Sequence, residues 1–317
     1  MSRSTAVPAR VAARASTPPA PAAPARPAPL GKTAALLAAG TVVVLWGVSF
    51  PVSRVAVREI SPLALATGRF ALAAAVLWPA ARRRGLSLAR ADVPAVFALG
   101  LLGVTLYFAF ENYGLVFTTA SHASLIVATV PLGTALVESI RRRRAPRPLP
   151  ILGMVVAAAG VILIVRPGAA GGRGLLGDLL VLGAMCAWVA YSFRARDLMA
   201  RTPALLVTAA TMTAGAATLL PLAIVESLFV PLRAPSPGAW AAIAYLGLLC
   251  SAAGCLLWNL ALPVLGVSVA NNLLNAIPLV SVLTGVLALG EPFTRAIALG
   301  GALILAGVIV VERTGER

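Results

Sequence analysis

Apolar residues run in ten stretches of about 18 to 23 positions, separated by short polar segments, from residue 34 to residue 311. Each stretch is long enough to cross a bilayer, because a hydrocarbon core of about 30 Å needs roughly 20 helical residues at a rise of 1.5 Å each. The pattern predicts spans at 34–53, 62–80, 93–114, 121–139, 149–166, 177–195, 203–225, 238–260, 268–288 and 294–311. The short alternating segments of a β-barrel are missing, and helices satisfy their own backbone hydrogen bonds in lipid. The expected class is an all-α polytopic membrane protein with ten transmembrane helices.

Composition agrees with that pattern. Of 317 residues, 60% are hydrophobic and 11% charged, with mean hydropathy +0.94, which leaves no room for a soluble domain. Residues 1–32 are rich in Pro, Ala and Ser without an apolar period and read as a disordered cytoplasmic tail. The first apolar run starts too far in, and is too long, for a cleaved signal peptide. Cys186, Cys250 and Cys255 fall inside predicted helices, with no C-x-x-C and no His cluster, so they read as small core residues. Neither a metal nor a cofactor is expected.

A net charge of +16 in a soluble chain would suggest nucleic acid. Here the basic residues lie mostly between spans on one side. With the N-terminus inside, the cytoplasmic segments hold 19 Arg and Lys residues, including Arg82 to Arg84 and Arg141 to Arg144, while the opposite side holds five: Arg58, Arg166, Arg173, Arg233 and Arg295. This is a positive-inside signal that puts both termini in the cytoplasm. The basic loops set topology, and no nucleic-acid partner is expected; the partners are the lipid bilayer and a small-molecule substrate.

The chain is also written twice. A shift of 147 residues lays 91–168 over 238–315 without a gap, with about 20 identities in 78 positions. Leu99-Gly100-Leu101-Leu102 falls on Leu246-Gly247-Leu248-Leu249, Asn112 on Asn259, Pro131-Leu132 on Pro278-Leu279, and Gly160-Val161-Ile162 on Gly307-Val308-Ile309. Upstream, with small loop insertions, Trp46 falls on Trp188. The first five-helix repeat covers 33–168 and the second 177–313. Five is odd, so the second copy enters the membrane from the opposite face, and the two form an inverted repeat. Many secondary transporters use that arrangement for alternating access around a central site.

The motifs Trp46-Gly-Val-Ser-Phe-Pro51, Ala66-Thr-Gly-Arg-Phe70, the run Ala123 to Leu132 and Ala288-Leu-Gly-Glu-Pro-Phe-Thr294, in this order and spacing, resemble the EamA-type transporters of the drug/metabolite transporter superfamily. The resemblance implies a ten-helix bundle with a central cavity in a bacterial inner membrane, and commonly export of amino acids or other small metabolites. Drug or metabolite efflux, or uptake, stays open beside it. The chain departs from an exact repeat at Glu291, whose partner position holds Arg144.

No hydrolase or transferase signature stands out, and the single His122 sits at the start of the fourth span, where a lone His is usually solvated. No enzyme activity is expected. Charged groups inside spans tend to face a protein interior or cavity, and two qualify: Arg69 in the second span and Glu111 in the third, at depths that allow an ion pair or a substrate- or proton-linked role for Glu111. Asn271 and Asn275 share one face of the ninth span, suited to a zwitterion or to interhelical hydrogen bonds. Trp46, Tyr107, Trp188, Tyr191 and Trp258 are aromatic rings within spans that suit a cavity wall. Together with Glu111 and the two asparagines they are the candidate substrate-binding residues. Arg69, Asn112, Asn259, Pro131 and Pro278 are candidate structural or gating residues. The cavity is expected between the first, third, fourth, sixth, eighth and ninth spans. Gly153, Gly160, Gly300, Gly301 and Gly307 line a small-residue face on the fifth and tenth spans, suited to close contact within one chain, and a monomer is expected over a dimer.

Overall fold

The structure, a computed structural model, describes residues 30–143, 148–165, 172–199, 201–230 and 234–315. Most of the expected tail, residues 1–29, lies outside them. Every regular element among the described residues is a helix. In order these are α1 (Lys32–Ala56), α2 (Pro62–Arg83), α3 (Val93–Gly100), α4 (Tyr107–Phe117), α5 (Ala120–Val127), α6 (Val130–Arg142), α7 (Pro148–Val165), α8 (Gly172–Met199), α9 (Ala204–Ser227), α10 (Pro237–Ala244), α11 (Cys255–Leu274), α12 (Ile277–Leu289) and α13 (Arg295–Gly315). Wider π-helical turns at Leu101–Leu106 and Tyr245–Gly254 join α3 to α4 and α10 to α11 into single rods.

Seven of these stretches are long and apolar enough to cross a membrane, and three shorter apolar helices, at Ile151–Leu163, Ile277–Leu289 and Arg295–Gly307, fall on the remaining predicted spans. The chain is a multi-pass membrane protein. Proline sets many of the starts: α2, α3, α6, α10 and α12 each carry it at their first or second position. There its missing N–H costs nothing and its fixed φ suits the helix. Gly290, at φ +64°, ends α12 in the left-handed region that glycine tolerates.

The repeat is visible in the irregularities. The fourth span is not one helix but α5 and α6, broken at 128–129, and the ninth breaks at 275–276 between α11 and α12. These breaks are 147 residues apart, and so are α6 and α12 at both ends. Shifted by the same 147 residues, the π turn at 101–106 falls on 248–253, inside the second π turn. One boundary departs from the sequence reading: α11 continues to Leu274 instead of yielding to a separate helix at 268.

Close packing follows the small residues. A Cβ on Gly160 would stand 2.6 Å from the Gly300 carbonyl oxygen, so α7 and α13 touch backbone to backbone. The small-residue face of the fifth and tenth spans is therefore spent inside the chain. Between apolar helices in lipid, such close approach supplies the dispersion that hydrophobic burial cannot. α2 packs on α9 around Phe70, Leu206 and Leu219, and runs antiparallel to it, since Leu63 at the start of α2 bonds Glu226 at the end of α9; α1 packs on α11 and α12. The α7–α13 pair stands to one side, leaving the other eight spans to enclose the centre.

Candidate functional site

A cavity of about 70 Å³ lies at the centre of the bundle. That is several times the roughly 10–15 Å³ needed to admit one water. Its wall draws on Trp46 and Phe50 of α1, Arg69 of α2, Gly103, Tyr107 and Glu111 of the third span, Ala128 in the first break, Trp188 and Tyr191 of α8, Thr211 of α9, Ser251 of the second π turn, and Asn275 in the second break. The second and seventh spans thus join the six expected ones. Both helix breaks and both π turns open onto this one space. The half-helices α6 and α12 start at its edge, so their free N–H groups and positive dipole ends are nearby.

Aromatic rings form a continuous ladder. Trp46 meets Trp188 edge-on with centroids 5.9 Å apart, Trp188 meets Tyr107 at 5.3 Å and Tyr191 at 5.1 Å, and Tyr107 leans on Phe108 at 4.6 Å. Trp258 does not line the cavity; it is buried and backs Trp46 at 5.6 Å. The Trp46 indole N–H donates to the Cys250 carbonyl at 3.1 Å. That carbonyl belongs to the second π turn, where the wider winding changes the usual helical pairing. A Cβ on Gly103, in the first π turn, would stand 2.7 Å from Cε2 of Tyr191, so the missing side chain lets that ring lie flat against the third span.

One basic and one acidic side chain stand on the cavity wall. Arg69 is 3% exposed; its Nε donates to the Ser251 hydroxyl at 3.0 Å and its guanidinium lies 4.5 Å from the Phe108 ring centroid. Glu111 is 4% exposed, and its buried Oε2 has no hydrogen-bond partner. The two do not form the ion pair that their depths allow: no N–O approach of 4.0 Å or less joins them among the described residues. The reason is that Arg69 turns to Ser251 and the Phe108 face instead. Thr211 Oγ1, also on the wall, is likewise buried without a partner.

The other predicted residues separate. Asn275 is on the wall, in the break directly after the last residue of α11. The side chains of Asn271 and Pro131 lie outside the described residues. Asn112 donates to the Pro62 carbonyl at 3.0 Å and Asn259 to Thr208 at 2.7 Å. These sites are at opposite ends, since α2 and α9 run antiparallel. Pro278 is buried at the second position of α12.

Three carboxylates of the second repeat hold the first at the Asn112 end. Glu226 accepts from the Leu63 N–H at 3.1 Å and from Tyr113, Asp178 accepts from Thr118, and Glu291 accepts from the Ala120 and Ser121 N–H groups and the Ser121 hydroxyl. Arg54 adds bonds to the last carbonyls of α4, at Leu115 and Val116. At the other end Asp92 pairs with Arg201 at 2.7 Å. His122 is not merely solvated: its Nδ1 lies 3.6 Å from Asp178. Cys186 is not a core residue but faces a lateral hollow between α6 and α8. Ser251, Thr211 and Gly103 escaped the sequence reading because small residues in apolar spans carry no signal of their own; the repeat register pairs Gly103 with Cys250 and Ser251 with Val104, so it marks neither.

An EamA-like transporter family model matches this chain twice, at residues 33–166 and 175–313. The chain belongs to that family. A protein described as an uncharacterized transporter of Archaeoglobus fulgidus is 30% identical over 275 residues, covering 86% of this chain and 96% of the relative. A probable terminal-alkyne amino-acid exporter of Streptantibioticus cattleyicolor is 32% identical over 272 residues, covering 86% and 91%. A protein crystal structure superposes with TM-score 0.65 at 24% identity, covering 88% of this chain and 96% of that one, which supports the same fold.

Proposed function

We propose that this protein is a bacterial inner-membrane secondary transporter that exports small neutral or aromatic amino acids, or closely related metabolites, by alternating access. The single observation that carries this reading is the cavity where the breaks and π turns of both repeats converge on aromatic rings and polar groups. A central site flanked by discontinuous helices of two inverted repeats lets one half rock against the other while the bound molecule stays in place. Its mixed aromatic and polar wall suits a small amphipathic metabolite, and the resemblance to the probable terminal-alkyne amino-acid exporter of Streptantibioticus cattleyicolor supports the amino-acid class. Trp46, Tyr107, Trp188 and Tyr191 wall the substrate's apolar part, and Glu111 and Asn275 face its polar part. Asn271 belongs to the same proposed set, with Trp258 as support for Trp46. Arg69, Asn112, Asn259, Pro131 and Pro278 shape and gate the path. The protein works as a monomer, and the basic loops support a cytoplasmic position for both termini.

The test is flux. Purified protein in liposomes loaded with radiolabelled amino acids should release members of the small neutral and aromatic classes faster than empty liposomes. Asn275→Ala should slow that release without lowering thermal stability. A panel in which no amino acid moves would refute the reading.

A further inference from the structure

We propose that Arg69 and Glu111 are the two jaws of a clamp for a zwitterion, the guanidinium taking the substrate carboxylate and the Glu111 carboxylate taking its α-ammonium. This rests on the transport reading above and states what the same cavity recognises.

Both groups are more than nine-tenths buried and line one cavity, and among the described residues they are its only carboxylic acid and its only base. They stand farther apart than an ion pair. Neither is neutralised by another charged side chain within ion-pair distance among the described residues. Arg69 is held by neutral neighbours alone, with Nε on Ser251 and the guanidinium face on Phe108, which leaves its terminal nitrogens without a hydrogen bond among the described residues. Glu111 offers an unpartnered Oε2. An amine would satisfy Glu111 and leave Arg69 uncompensated, and an acid would do the reverse. An α-amino acid carries both charges on one carbon, so it can serve two groups that do not reach each other and neutralise both together. Thr211 Oγ1, unpartnered on the same wall, adds a hydrogen-bonding group from the opposite repeat. The ring of Tyr107, one helical turn before Glu111 on α4 and on the same wall, offers a π face to an ammonium.

The experiment compares L-valine with isobutylamine and 3-methylbutanoate, and L-phenylalanine with 2-phenylethylamine and 3-phenylpropionate. Each analogue lacks one charged end. Binding is read by quenching of tryptophan fluorescence in detergent, and flux separately in liposomes. Each amino acid should bind about ten- to a hundredfold more tightly than either of its analogues, the worth of one charged hydrogen bond. Glu111→Gln should weaken the amino acids and amines while leaving the acids unchanged, and Arg69→Gln should weaken the amino acids and acids while leaving the amines unchanged. Arg69→Lys, which keeps the charge, should recover part of the loss. Should either variant fail to fold, the wild-type comparison alone decides. Amino acids bound no better than their analogues overturn the clamp even if they are transported, and the transport reading then stands without it. The clamp pattern without flux sinks the transport reading and keeps the clamp. Neither binding nor flux sinks both.

Discussion

Gly103 shows how much a single missing side chain decides here. It sits in the first π turn, and the Tyr191 ring occupies the space that a Cβ would take, with Cγ 2.8 Å from that position. A ring cannot yield like the end of a flexible chain, so Gly103→Ala should push Tyr191 into the cavity at a cost of about 1–3 kcal/mol in overpacking. The expected result is near-normal expression, a lowered melting temperature and strongly reduced flux in liposomes. Unchanged flux would place the Tyr191 ring outside the transport path. Glu111 makes the converse point. Its depth in the third span identified it as a buried charge, but its partner depends on which way Arg69 turns, and Arg69 chose Ser251, 182 residues away. Nothing in the spacing of 69 and 111 foretells that choice.

At the scale of elements, regular stretches were legible and interruptions were not. Lengths and apolar content place the spans, because lipid demands about 20 apolar residues from any helix that crosses it. The breaks at 128–129 and 275–276 leave little trace in hydropathy. Pro131 and Pro278 mark them only in hindsight, since a proline fits the first turn of a new helix as well as the interior of a kinked one. The α7–α13 pair was clearer, because glycines repeated on both helices in register imply close approach. Gly160→Leu should force the two backbones apart and lower the melting temperature markedly, whereas Gly40→Leu on α1, where nothing lies within 4 Å of the added Cβ, should leave it nearly unchanged. Equal melting temperatures for the two variants would show that the α7–α13 contact contributes no stability.

For the whole molecule, orientation is the first quantity to measure. In a variant whose native cysteines are replaced, Arg84→Cys should react with a membrane-impermeant maleimide only after the cell is opened, and Arg58→Cys should react from outside. The reverse pattern would invert the scheme. The asymmetry behind this prediction is 19 basic residues against five, and it acts during insertion, before any tertiary contact forms. The three carboxylates of the second repeat that bond to the first, Asp178, Glu226 and Glu291, belong to this scale as well. They sit at one end of the bundle and join the two repeats there.

The amino-acid sequence by itself determined the all-helical class, the membrane spans and the doubled architecture. These depend on local hydropathy and on self-similarity, and a chain in lipid has few other ways to satisfy its backbone. Tertiary structure alone decided that both breaks and both π turns meet in one cavity, that eight spans and not six enclose it, that Trp258 stands behind the wall, and that Arg69 and Glu111 face the same space unpaired. Those outcomes depend on helix rotation and on contacts between residues more than a hundred positions apart, and the uniform apolarity of the spans leaves both unspecified until the helices pack.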